Sequence, residues 1–128
     1  MSDLSRKEIG ARGEQEACGF LLGEGHKILR RNWRSGHLEL DIITVKDGIL
    51  HIVEVKTRSA GAPVSPEINV DRSKQARMVK AAGDLLRSGE TSALCYAGEV
   101  QFDVLTVVFD GESAVLEYFP AAFIPIYT

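Results

Sequence analysis

No apolar run in this sequence is long enough to cross a membrane: the longest are of strand length, which excludes a transmembrane helix. Cysteine is scarce as well. Cys18 and Cys95 sit in apolar surroundings without a CxxC or Cys/His pairing, so a disulfide scaffold is excluded and two buried free thiols are expected. The three histidines, His26, His37 and His51, stand at no zinc-ligand spacing, and His51 reads as a strand residue facing a polar neighbour. Internal repeats and low-complexity segments are missing too. The opening residues, Met1 to Glu8, pass straight into polar helix-like sequence, without the apolar core and small-residue cleavage site of a secretory signal, so a cytoplasmic protein is expected.

What is present fits one domain over residues 1–128, long enough to bury a core without staples, and ending in an apolar tail at 120–128. The net charge of −3 hides a division. Residues 1–80 carry 14 Lys and Arg against 11 Asp and Glu, whereas residues 81–128 carry 1 against 7. A basic face on an acidic protein is therefore expected, from Lys27, Arg30, Arg31 and Arg34 and from Arg72, Lys74, Arg77 and Lys80.

Ser5-Arg6-Lys7-Glu8 has the form of a capping box, and Ile9, Gly13, Ala17, Phe20 and Leu21 recur at helical spacing until Gly23-Glu24-Gly25. Strands are expected over Lys27 to Trp33, Leu38 to Lys46 and Ile49 to Lys56, the last two joined by an Asp47-Gly48 hairpin turn. Residues 59–69 read as a loop and Asp71 to Arg87 as a second helix. Strands over Glu99 to Phe109 and Ala114 to Phe119 then flank an Asp110-Gly111 turn. The third strand is apolar at nearly every position, as a central strand covered on both faces should be.

Against that apolar background Asp41, Glu54 and Lys56 stand out, because a buried charge persists only when it is paired or holds a metal. Glu54 and Lys56 share a strand face, as do Glu39 and Asp41. A two-residue turn at Asp47-Gly48 sets residue n opposite residue 95−n, which brings Asp41 against Glu54. Opposed carboxylates repel unless a cation lies between them, and a hard divalent ion such as Mg2+, with Mn2+ as its substitute, suits oxygen donors of this kind. Glu14 on the first helix is a candidate third carboxylate, since Gly10 and Gly13 let that helix approach the sheet, and Gln75 faces the same end from the second helix. A lysine beside such an ion can orient the attacking water and offset charge building on a phosphoryl group. The bland alternative is a structural salt bridge between Lys56 and Glu54 or Asp41.

These residues resemble the YraN-like family of small bacterial proteins, relatives of Holliday-junction resolvases in the restriction-endonuclease-like, or PD-(D/E)xK, superfamily. The resemblance runs through Gly10-Ala11-Arg12-Gly13-Glu14, Asn32-Trp33-Arg34, Glu39-Leu40-Asp41-Ile42-Ile43, Val53-Glu54-Val55-Lys56-Thr57-Arg58, Lys74 to Ala82 and Gln101-Phe102-Asp103-Val104. It implies an α/β core of helix, three-stranded meander, helix and then strands, a mixed sheet flanked by helices. It also implies a metal site of Glu14, Asp41 and Glu54, with Lys56 as catalytic lysine and Gln75 and Glu39 as possible support. Leu38 departs from the commonest family form, which has a glycine there. The function implied is Mg2+-dependent hydrolysis of DNA phosphodiesters, selecting branched or junction structure. Arg30, Arg31, Arg34, Arg58, Lys74 and Arg77 would contact nucleic acid, and by analogy with resolvases a homodimer is possible. The rival is a non-catalytic nucleic-acid-binding or protein-interaction module that keeps the scaffold. Arg58 is expected to pair with Asp103 or another acid, or to meet a phosphate, Asp103 to have a buried basic or backbone partner, and Trp33 to belong to the core.

Overall fold

A computed structural model describes residues 5–61, 70–91 and 98–125. The first helix, α1, spans Arg6–Gly23. Both halves of its capping box form: the Glu8 amide donates to the Ser5 hydroxyl at 3.2 Å, and the Ser5 amide to the Glu8 carboxylate at 3.1 Å. Three antiparallel strands follow, β1 Lys27–Ser35, β2 Leu38–Lys46 and β3 Ile49–Ser59. The second helix, α2, spans Arg72–Arg87 behind an Asp71 cap, and then come β4 Glu99–Asp110 and β5 Ser113–Phe123. One mixed sheet results, in the order β1-β2-β3-β4-β5, with β3 and β4 parallel and every other pair antiparallel. Parallel neighbours need a crossover, and α2 is the helix it contains.

The β2-β3 turn takes positive φ at both Asp47 and Gly48, the twist-matched hairpin form, and it fixes the expected register: Lys46 faces Ile49 and Ile42 faces Val53. The helices cover opposite faces of the sheet. On one side Ala17, Cys18 and Leu21 of α1 pack on Ile42, Val53, Leu105 and Val107. On the other, Met78, Ala81, Ala82 and Leu85 of α2 pack on Leu40, Ile43, Leu50 and Ile52. Burial on both faces is why the first half of β3 has no polar side apart from His51. Cys18 is a buried free thiol, as expected, while Cys95 lies outside the described residues.

Several expectations need correction. Gly13, but not Gly10, admits the close approach of α1: a Cβ at Gly13 would lie 2.0 Å from the Thr57 hydroxyl oxygen of β3, whereas one at Gly10 would meet nothing within 4 Å. The strands also run further than expected, β1 to Ser35, β3 to Ser59 and β5 to Phe123. The segment from Pro120 is therefore strand up to Phe123, whose ring stacks on Phe102 at 5.0 Å, and residues 126–128 lie outside the described residues. Proline survives here because β5 is an edge strand, and extra residues bulge out where Phe102 pairs with Phe123 but Val104 with Phe119.

Candidate metal centre

Register and sheet geometry bring Asp41 and Glu54 together. The β2-β3 ladder runs as far as Ile42 and Val53, and these two acids are the next residues outward. There Asp41 takes over a backbone donor, its Oδ2 accepting from the Val55 amide at 2.9 Å. Burial raises the Asp41 carboxyl most, the charge of Glu54 raises it further, and the Val55 amide and the Lys74 charge pull it back, leaving it pushed up to about 7. Desolvation and a neighbouring carboxylate both disfavour the charged form of Asp41.

Lys74, in the first turn of α2, supplies a cation. Its Nζ stands 3.3 Å from Glu54 Oε2, so a residue expected to contact nucleic acid is found on a predicted metal ligand. Glu14 approaches from α1. Its carboxyl is raised by burial and by Asp41, against the hydrogen bond of Asn32 and the charge of Arg31. Lys56 is half-buried two residues beyond Glu54 on β3.

Other candidates are engaged elsewhere. Glu39 pairs with Arg34 across the β1-β2 ladder at 2.8 Å, though its charge still reaches Glu14. The Gln75 amide donates to the Val70 carbonyl at 2.7 Å. Arg30 donates to Glu90 from two nitrogens, and the Trp33 indole donates to the other oxygen of the same carboxylate while its ring packs on the α2 side of the core. Arg77 bonds the Ser73 hydroxyl. Arg31, Arg34, Arg72, Arg77 and Lys80 are exposed; α2 packs on β2 and β1, while the charge of Arg31 reaches Glu14 on the α1 side of the sheet.

The pairing of Arg58 with Asp103 does not form. In the parallel register Asp103 is level with Val53 and Arg58 with Val108, about 16 Å further along the sheet. Asp103 instead belongs to a buried network that sequence reasoning missed in extent. His51 Nδ1 lies 2.7 Å from it, Gln101 Nε2 and the Ala121 amide donate to it at 2.8 and 2.9 Å, and the Tyr118 hydroxyl donates to it as well. His26 adjoins, its ring centroid 4.7 Å from that of His51 and its Nδ1 2.6 Å from the Thr44 hydroxyl. Burial alone would raise Asp103, but its four hydrogen bonds outweigh it and hold the carboxyl below the usual range. The rule that pairs n with 95−n already placed Thr44 opposite His51; the β3-β4 pairing was what the sequence withheld.

The donor set fits a hard cation incompletely closed by protein. Among the described residues, no three His, Cys, Asp or Glu side chains stand close enough together to hold an ion by themselves. Asp41 and Glu54 supply two carboxylates, with an ammonium already drawn to them, and Mg2+ characteristically binds one or two carboxylates and completes its shell with water and substrate phosphate.

A family model described as an uncharacterised protein family, UPF0102, matches residues 13–107. A UPF0102 protein of Bacteroides thetaiotaomicron is 38% identical over 92% of this chain and 93% of its own length. One from Myxococcus xanthus is 36% identical over 92% and 90%, and one from Chloroherpeton thalassium 41% over 80% and 76%. The matched span holds Glu14, Asp41, Glu54, Lys56 and Lys74 together. No helix among the described residues is long and apolar enough to cross a membrane.

Proposed function

Since the chain belongs to the UPF0102, or YraN-like, family, which is restriction-endonuclease-like, we propose that it is a divalent-metal-dependent endonuclease cutting DNA phosphodiesters, with branched or junction structure as its cue. The observation that carries this reading is the half-buried Asp41–Glu54 pair at the point where the β2-β3 ladder ends, the Asp41 carboxyl pushed up to about 7 by desolvation and then by the charge of Glu54. Asp41 and Glu54 would hold Mg2+ or Mn2+, and Glu14 would reach it from α1. The ion would supply charge neutralisation at the phosphate and lower the pKa of bound water.

The chain's own residues do the positioning. The Val55 amide fixes one oxygen of Asp41 and so holds the carboxylate beside Glu54. Gly13 seats α1 against Thr57 and so sets how far Glu14 extends toward the pair. Lys56, on the same strand side as Glu54, offers its ammonium to the phosphoryl oxygens or the attacking water. The exposed arginines on β1 and α2 bind backbone phosphates without reading bases, which suits a protein selecting shape over sequence.

The competing reading, a module that binds without cutting, draws on the fact that no three-donor cluster forms among the described residues. One experiment separates the two. Labelled four-way junction, flap and linear duplex are incubated with purified protein and Mg2+ or Mn2+. The nuclease reading expects cleavage of the branched substrates that Asp41→Asn and Lys56→Ala each reduce at least a hundredfold. Binding without cleavage, unchanged in Asp41→Asn, favours the module.

A further inference from the structure

The carboxylate pair already has a cation of its own. Lys74 Nζ lies 3.3 Å from Glu54 Oε2, and its charge is also felt at Asp41. The lysine is well anchored at its base: the Lys74 amide donates to the Asp71 cap at 2.8 Å, in the first turn of α2. Its side chain is 35% exposed against 13% for Glu54, so the lysine borders solvent beside a carboxylate that is largely covered. An ion arriving from solvent meets it there.

An ammonium and a divalent ion cannot share that place, because their repulsion at a few ångströms is of the same order as the attraction either has for the acids. We propose that Lys74 is an internal counterion that competes with the metal, neutralising the pair when no ion is bound and being displaced toward the substrate backbone when one enters. The proposal rests on the reading of Asp41 and Glu54 as metal ligands and adds a consequence. Once released, the lysine's four-carbon stem carries a positive charge at the mouth of the site, where a phosphate would lie. Metal loading then strengthens DNA binding, and by linkage DNA strengthens metal binding.

Calorimetric titration with Mn2+, in the absence of DNA, compares wild type with Lys74→Gln and Lys74→Arg. Removal of the competing charge should tighten Mn2+ binding by about fivefold in Lys74→Gln, while Lys74→Arg stays near wild type. Equal or weaker binding in Lys74→Gln overturns the counterion role and leaves the metal pair standing. Heat from neither protein overturns both. A second measurement uses the unaltered chain: reductive methylation of Lys74, followed by mass spectrometry, should be faster with Mn2+ present, and labelling unchanged by Mn2+ also overturns the proposal.

Discussion

Asp41 and Asp103 are acids of the same sheet, one half-buried and the other buried, and pushed in opposite directions. Burial disfavours both charged forms; what separates them is the company they keep. Asp103 receives donors from His51, Tyr118, Ala121 and Gln101, whereas Asp41 has one backbone donor and a second carboxylate at its side. The signs follow. Asp41 in the folded chain holds its proton up to about 7, well above its unfolded value, so its contribution to the stability of the metal-free protein is fully present below about pH 4 and is lost as pH rises from about 4 to about 7. At 1.36 kcal/mol per pK unit that loss is on the order of 4 kcal/mol, with Glu14 adding in the same direction. Asp103 contributes stability above its unfolded pKa of about 3.9, and this is lost as pH falls through its lower folded value. Urea unfolding across pH should therefore show a decline between pH 4 and 7 that Asp41→Asn flattens, and a separate acid limb that Asp103→Asn makes shallower. A wild-type profile flat from pH 4 to 7 contradicts this description of the pair.

Among the elements, α1 depends most on a single residue. A methyl group at Gly13 would lie 2.0 Å from the Thr57 Oγ1 and 2.8 Å from its Cβ, and a β-branched strand residue cannot swing clear of a contact with its own Cβ. Gly13→Ala should cost about 1–3 kcal/mol despite the helix propensity alanine adds, and urea midpoints measure it. The Gly10→Ala change, with nothing within 4 Å of the added carbon, should be neutral or stabilising. The sequence made much at this scale readable. Local signals carried the capping box, the Asp47-Gly48 turn and hence the register that sets Asp41 beside Glu54, and the doubly apolar β3. Its limits were long-range ones. Nothing near Arg30 in the chain points to Glu90, sixty residues on, and nothing near Pro120 shows that Asp103 will take up the amide of a bulged Ala121 so that β5 can continue. Lys74 read as a surface cation for the same reason: its partner Glu54 comes from another element.

For the whole molecule, the question is how a chain of net charge −3 meets a polyanion. The fold answers by setting α2 against β1 and β2, so that the two elements that carry the basic clusters lie together, while five of the seven acids of residues 81–128 lie on β4, β5 and their turn. Neutralised cations contribute less: Arg30 is committed to Glu90 and Arg34 is paired with Glu39 yet 72% exposed. Arg31→Glu and Arg77→Glu should weaken DNA binding alike on all sequences and lower the salt slope by about one each. Arg30→Ala should instead loosen the Trp33–Glu90 contact and show mainly in stability. Fluorescence anisotropy over a salt series distinguishes them.

All of this turns on whether Asp41 and Glu54 hold an ion. Calorimetric titration of Mn2+ into wild type and Asp41→Asn, at pH 8 so that Asp41 is largely deprotonated, asks that directly. A metal centre requires saturable binding by the wild type that Asp41→Asn reduces at least tenfold; no binding, or binding that the substitution leaves unchanged, would show that the carboxylate pair is not the site.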